Sequence, residues 1–269
     1  MEVASSEPNL LERWWRSRLG RRLLLELSLL VIGFMAYKWV RLLVRDQVLD
    51  AFDNARAVIG IERSLGIFNE YQLQRLVLQW PDLMWWVNRY YAHMHFWVTG
   101  VALIVLYARR PDRYLWLRRM LVAVSAAGLL MHAMYPLAPP RMQWRIGFVD
   151  TLARWGPSVY ADSTVAEVAN QYAAMPSLHV GYAVLVAMAI MPMISSRWRY
   201  VLLFHPTITI FSVVVTANHY WLDAIVVIGM IVVAERWLFH RPSPIDRLAP
   251  LPARVRLDGR PADALTTRV

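Results

Sequence analysis

NQYAAMPSLHVG, residues Asn170 to Gly181, decides how this chain is read. It places a proline, a hydroxyl and an imidazole, Pro176-Ser177-Leu178-His179, at the mouth of an apolar run from Val180 to Met193. Proline fits the first turn of a helix, where its missing N–H costs nothing, so Pro176 is a start signal. The N–H groups of the next turn, Ser177 to Val180, then point outward with the positive end of the helix dipole, a site for a phosphate or carboxylate. His179 would stand beside an anion held there. The competing reading of this stretch alone is an ordinary helix start with a histidine at the lipid headgroup level.

The chain around it is a membrane chain. Of its 269 residues 58% are apolar, and several apolar runs reach the roughly 20 residues that cross a bilayer. Cysteine is absent, which excludes disulfides, thiolate catalysis and cysteine-bound metals. The net charge of +10 does not point to nucleic acid, because the arginines cluster at the ends of apolar runs, where anionic headgroups account for them. No cleavable signal peptide is expected, since the first apolar run begins near Leu23 and is long enough to span.

The expected fold class is an all-α integral membrane protein of six transmembrane helices. The spans run from about Leu23 to Val44, Leu83 to Tyr107, Leu115 to Leu137, Leu178 to Ile194, Trp198 to Thr216 with a kink at Pro206, and Tyr220 to Phe239. Between the first two, residues 46 to 82 are too polar to span, and Val48, Phe52, Ala55 and Ile59 fall at helical spacing, which predicts an amphipathic segment on the membrane surface. Residues 1–22, with Trp14 and Trp15 among arginines, read as a basic headgroup anchor. Residues 23–240 form the membrane domain, and 241–269 a mobile tail. The basic loops put both termini in the cytoplasm by the positive-inside rule, and the Ser177-His179 helix start on the outer face of a multi-pass cell-membrane protein.

A second motif, Thr216-Ala217-Asn218-His219-Tyr220-Trp221-Leu222-Asp223, sits where the fifth and sixth spans meet. His219 and Asp223 are four apart, one face of a helix, so the carboxylate can fix the imidazole's tautomer and leave its other nitrogen for nucleophilic or base chemistry. A structural His–Asp pair tying two helices is the alternative. With Arg141 after the Pro139-Pro140 helix break, the residues Arg141, Ser177, His179, His219 and Asp223 suit phosphoryl transfer. A planar cation and a helix start hold phosphate oxygens, one histidine attacks phosphorus, and the other protonates the leaving oxygen. No cofactor is called for, and a zinc site on His179, His219 and Asp223 is disfavoured because Arg141 would repel a cation.

These residues resemble the motifs of the type 2 phosphatidic acid phosphatase superfamily. Its pattern is a Lys, six residues and Arg-Pro; then Pro-Ser-Gly-His; then Ser-Arg, five residues, His, three residues and Asp. The chain matches as Arg141, as Pro176-Ser177-Leu178-His179 and as His219 to Asp223, and departs at Met134 for Lys, Met142 for Pro, Leu178 for Gly and Val213 for Arg, keeping Ser212. The resemblance implies that His219 is a nucleophile forming a phosphohistidine, Asp223 its orienting partner, His179 the general acid, and Arg141 and Ser177 phosphate ligands. Met-Pro-Ser-Leu-His and Asn-His-Tyr-Trp-Leu-Asp look like the inositol phosphorylceramide synthase branch, which implies an inositolphosphotransferase-like enzyme acting on membrane lipid phosphates. A lipid phosphate phosphatase using water is the alternative within the class, and an idle anionic-lipid binder the alternative outside it. His93 and His95 could line a headgroup pocket or bond between helices, His132 could approach the site, His205 reads as structural, and Glu62 and Glu70 as solvated charges.

Overall fold

The run after His179 folds into a helix, and the other helices gather round it. The computed structural model describes residues 18–44, 47–156 and 171–239, so the expectations for the N-terminal anchor and the C-terminal tail fall largely or wholly outside the described residues. In chain order the helices are α1 (Arg18–Val44), α2 (Val48–Ser64), α3 (Glu70–Leu78), α4 (Pro81–Arg109), α5 (Pro111–Met134), the short α6 (Thr151–Trp155), α7 (Leu178–Ile190), α8 (Phe204–Val215) and α9 (Trp221–Phe239). Tight 3₁₀ turns cover Pro140–Met142 and Trp144–Ile146, extend α7 over Met191–Met193 and lead into α8 over Arg197–Leu203. There is no strand among the described residues, and one isolated parallel bridge joins Leu137 to Ala173.

Helix α7 is apolar all round, which suits a helix with neighbours on every side. It packs against α4, α5, α8 and α9 and buries Val180, Leu185, Val186 and Ala189 in the main core with Leu117, Val124, Val214 and Val227. Gly181 permits the closest approach, since a Cβ there would lie 2.7 Å from Val227 Cγ2 of α9. The long helices α4 and α5 start on Pro81 and Pro111, each followed by an aspartate that complements the helix dipole.

Among the described residues, three helical stretches are long and apolar enough to cross a membrane: Pro81–Arg109, Pro111–Met134 and Arg197–Val215. Their outer faces carry large apolar side chains, with Phe96, Trp97 and Ile104 each about two-thirds exposed or more (69%, 68% and 71%). A chain in water would hide such a surface, whereas lipid solvates it. Helix α7 with its 3₁₀ extension, Leu178–Met193, is a shorter apolar helix held in the middle of the bundle.

Several sequence expectations are corrected. The helix after Pro176 begins at Leu178 with Ser177 as its N-cap, so Pro176 precedes the cap instead of occupying the first turn. The third span ends at Met134, and Pro206 lies in the first turn of α8 just after the 3₁₀ stretch. The helical spacing read between the first two spans holds, with Ala55 and Ile59 on the buried face of α2 beside Ala51 and Val58, but the segment is two helices, α2 and α3, instead of one. Glu62 and Glu70, expected to be solvated, are 0% exposed.

Candidate active site

The site is built where α8 stops and α9 starts. The Thr216 hydroxyl donates to the Ser212 carbonyl at 2.7 Å, and the N–H groups of Asn218 and His219 both return to the Val213 carbonyl, at 3.0 and 3.2 Å, which closes the end of α8. Ala217 takes a left-handed conformation, φ +55°, to make this reversal. The chain then turns at His219 and Tyr220 into α9, whose first turn holds Asp223.

His219 precedes the helix, and its Nδ1 meets two oxygens, the Ala174 carbonyl at 2.7 Å and Asp223 Oδ2 at 3.2 Å. Both accept, so Nδ1 carries the proton and Nε2 is left with its lone pair. Burial pushes the imidazole down to about 4 against the lift of the Ala174 bond, and Arg141 lowers it further, so His219 is neutral at pH 7. Asp223 Oδ2 also accepts the Tyr220 N–H at 2.9 Å, and the Asp223 carbonyl accepts the Ser177 N–H at 3.2 Å. That last bond joins the starts of α7 and α9. It also uses one of the N–H groups expected to point outward.

His179, on the first turn of α7, stacks on Tyr91 with ring centroids 4.5 Å apart and stands edge-on to His95 at 4.1 Å; its centroid is 5.8 Å from that of His219. Arg141 is buried. Its backbone N–H donates to the Ala217 carbonyl at 2.7 Å, its Nη1 to Asn218 Oδ1 at 2.6 Å, and its Nε lies 3.5 Å from Asp150 Oδ2. Arg141, His179 and His219 line one cavity of about 190 Å³, together with Tyr37 of α1, Tyr91 and His132, and apolar walls at Pro139, Ala174, Pro176 and Leu178. Ser177 is fully buried beside this cavity but is not one of its lining residues, and its Oγ has no hydrogen-bond partner. Asp223 stands behind His219 in the same way.

Two residues with no role assigned from sequence hold the arginine. Asn218 fixes the guanidinium and is itself braced by Nδ2 on Thr216 Oγ1 at 2.9 Å. Asp150 caps α6 through Oδ1, which accepts the Ala153 N–H at 3.0 Å, while Oδ2 faces Arg141. The start pattern Asp150-Thr151-Leu152-Ala153 was a legible cap; its partner across the fold was not. Among the other histidines, His132 does reach the cavity and His93 is exposed. His95 bonds its own helix at the Tyr91 carbonyl, 3.2 Å, and His205 ties α8 to α4 through the Tyr90 hydroxyl at 2.8 Å.

The motif departures have structural counterparts. Met134 is 76% exposed, and Val213 is packed in the core, where an arginine side chain would have no room. Leu178 is accommodated by Gly128 of α5, because a Cβ on Gly128 would come within 2.9 Å of Leu178 Cδ2. The family model of the PAP2 superfamily matches residues 56–237. No curated protein and no solved structure matches the chain significantly.

Proposed function

The chain belongs to the PAP2 superfamily, and from that premise we propose that it is a membrane phosphotransferase which moves a phosphoryl or phospho-head-group unit between lipids through a phosphohistidine on His219. Family membership supports lipid-phosphate chemistry; the choice of transfer over hydrolysis is our reading. The observation that carries it is the state of His219: Nδ1 is committed to Ala174 and Asp223, while the ring lines the same cavity as Arg141 and His179. Nε2 attacks phosphorus as Arg141 neutralises phosphate oxygens, the bond from phosphorus to the lipid alcohol breaks, and His179 gives that oxygen its proton. In the second half an acceptor hydroxyl attacks the phosphohistidine and returns a proton to His179. The apolar walls favour a lipid alcohol over water as acceptor, in keeping with the likeness to the inositol phosphorylceramide synthase branch.

The same reading takes the chain as six spans, with α1, α7 and α9 added to the three apolar stretches, both termini cytoplasmic and the cavity on the outer face. Residues 1–22 and 241–269 flank the membrane domain in this layout. Purified protein in detergent with EDTA, given phosphatidylinositol, phosphatidic acid and polyprenyl phosphates with and without a lipid alcohol, tests the chemistry by mass spectrometry of the products. A new phosphodiester that needs the alcohol supports transfer. Free phosphate formed equally without it makes the enzyme a lipid phosphatase, and no product above the His219→Ala control overturns catalysis on these lipids.

A further inference from the structure

Two carboxyl groups outside the cavity meet the start of α9. Glu62, from the last turns of α2, accepts the Leu222 N–H on Oε1 at 2.9 Å, and Glu70, the first residue of α3, accepts the Trp221 N–H on Oε1 at 3.4 Å. With Asp223 on the Tyr220 N–H, the first three N–H groups of this segment all end on acidic side chains. Glu62 and Glu70 are both 0% exposed, their Oε1 atoms sit on successive N–H groups, and their Oε2 atoms are buried with no hydrogen-bond partner. Among the described residues neither forms an ion pair.

Two adjacent carboxylates shut away from water and cations do not both ionise, because neither the Coulomb repulsion nor the lost hydration is offset. One proton on either carboxyl supplies the donor that the two buried, unpartnered Oε2 atoms lack. We propose that Glu62 and Glu70 share a single proton, and that the resulting carboxylic acid–carboxylate pair, with one net negative charge, is the positioning device that holds the α9 start and therefore His219 and Asp223 in register. One charge matches the positive end of the α9 dipole, whereas two would repel each other and Asp223. Burial, then the neighbouring Glu70 carboxyl, holds the Glu62 carboxyl well above the usual carboxylate range, in keeping with a retained proton. The shared proton stands on this geometry alone; its bearing on turnover rests on the phosphotransfer reading above.

The test keeps the two apart. Infrared difference spectra of the purified full-length protein in detergent at neutral pH, taken between wild type and Glu62→Gln and between wild type and Glu70→Gln, are expected to lose one protonated-carboxyl C=O band that shifts in heavy water. Loss of no such band in either variant overturns the shared proton, whatever the activity assay gives. Each single Gln variant keeps one carboxylate, one acceptor at each N–H and the net charge, so kcat and KM stay within about threefold. The double variant keeps the acceptors but loses the charge, and kcat falls about tenfold or more at unchanged KM. A single variant as damaged as the double, or a double variant as active as wild type, overturns the positioning role. If wild type turns over none of the lipids offered, the function reading fails and the infrared result still decides the proton.

Discussion

The Arg141 guanidinium is held by Asn218, Nη1 to Oδ1 at 2.6 Å, one residue before the histidine with which it shares the cavity. The backbone repeats the link, with the Arg141 N–H on the Ala217 carbonyl at 2.7 Å. The cation and the His219 imidazole are therefore set by one turn, although 77 residues of sequence separate Arg141 from Asn218. A hydrogen bond to a charged group is worth about 1.5–3 kcal/mol. Replacing Asn218 by Ala is expected to raise KM for a phosphate-bearing lipid by about tenfold or more, with the His219 Nδ1 bonds intact. Steady-state kinetics of N218A check this, and an unchanged KM would mean that Asp150 and the backbone bond suffice.

The acid limb of activity follows from burial of His219. Its imidazole is held at about 4 against an ordinary 6.5, so the nucleophile stays unprotonated in mildly acidic solution. The acid limb of kcat/KM assigned to this group is expected near pH 4. Stability has the same sign: the unfolded chain takes up the proton near 6.5 and the folded one only near 4, so this contribution is complete above 6.5 and shrinks as pH falls through that window. A pH–rate profile with its acid limb at 6.5 would show that water or substrate relieves the burial in the working enzyme.

Gly181 and Gly229 make a paired test of packing. A methyl group at Gly181 meets Val227 Cγ2 at 2.7 Å, whereas nothing lies within 4 Å of one at Gly229 on the same α9 as Val227. Gly181→Ala should cost about 1–3 kcal/mol through overpacking, and Gly229→Ala should be neutral or stabilising by up to about 1 kcal/mol through helix propensity. Thermal unfolding in detergent separates them; equal effects would mean that α7 and α9 are not in close contact.

The Leu178–Gly128 fit carries its own prediction. Gly128→Ala pushes on Leu178 Cδ2, at 2.9 Å, and Leu178 immediately precedes His179. Activity is expected to fall several-fold, on the order of 1 kcal/mol in the barrier, and Leu178→Ala in the same chain should restore most of it. A double-mutant cycle measures the coupling. Additive losses would show that the two residues do not constrain one another.

Much of this was legible in the residues. Apolar runs marked α4, α5, α7, α8 and α9, because a backbone in lipid must satisfy its own hydrogen bonds and helices do so locally. The residue types of Arg141, His179, His219 and Asp223, and the four-residue spacing of the last two, pointed to one chemistry, and those short-range relations survive folding. What spacing could not supply was partners far along the chain. Nδ1 of His219 is closer to the Ala174 carbonyl than to Asp223, and Asn218 holds an arginine 77 positions earlier. Glu62 and Glu70 looked like solvated charges because sequence shows charge but not burial, and their burial depends on where α2 and α3 lie against α9. Local hydrogen bonding and hydropathy belong to the sequence; the desolvation, carboxyl pairing and convergence that would give those side chains their chemistry arise only when the helices pack.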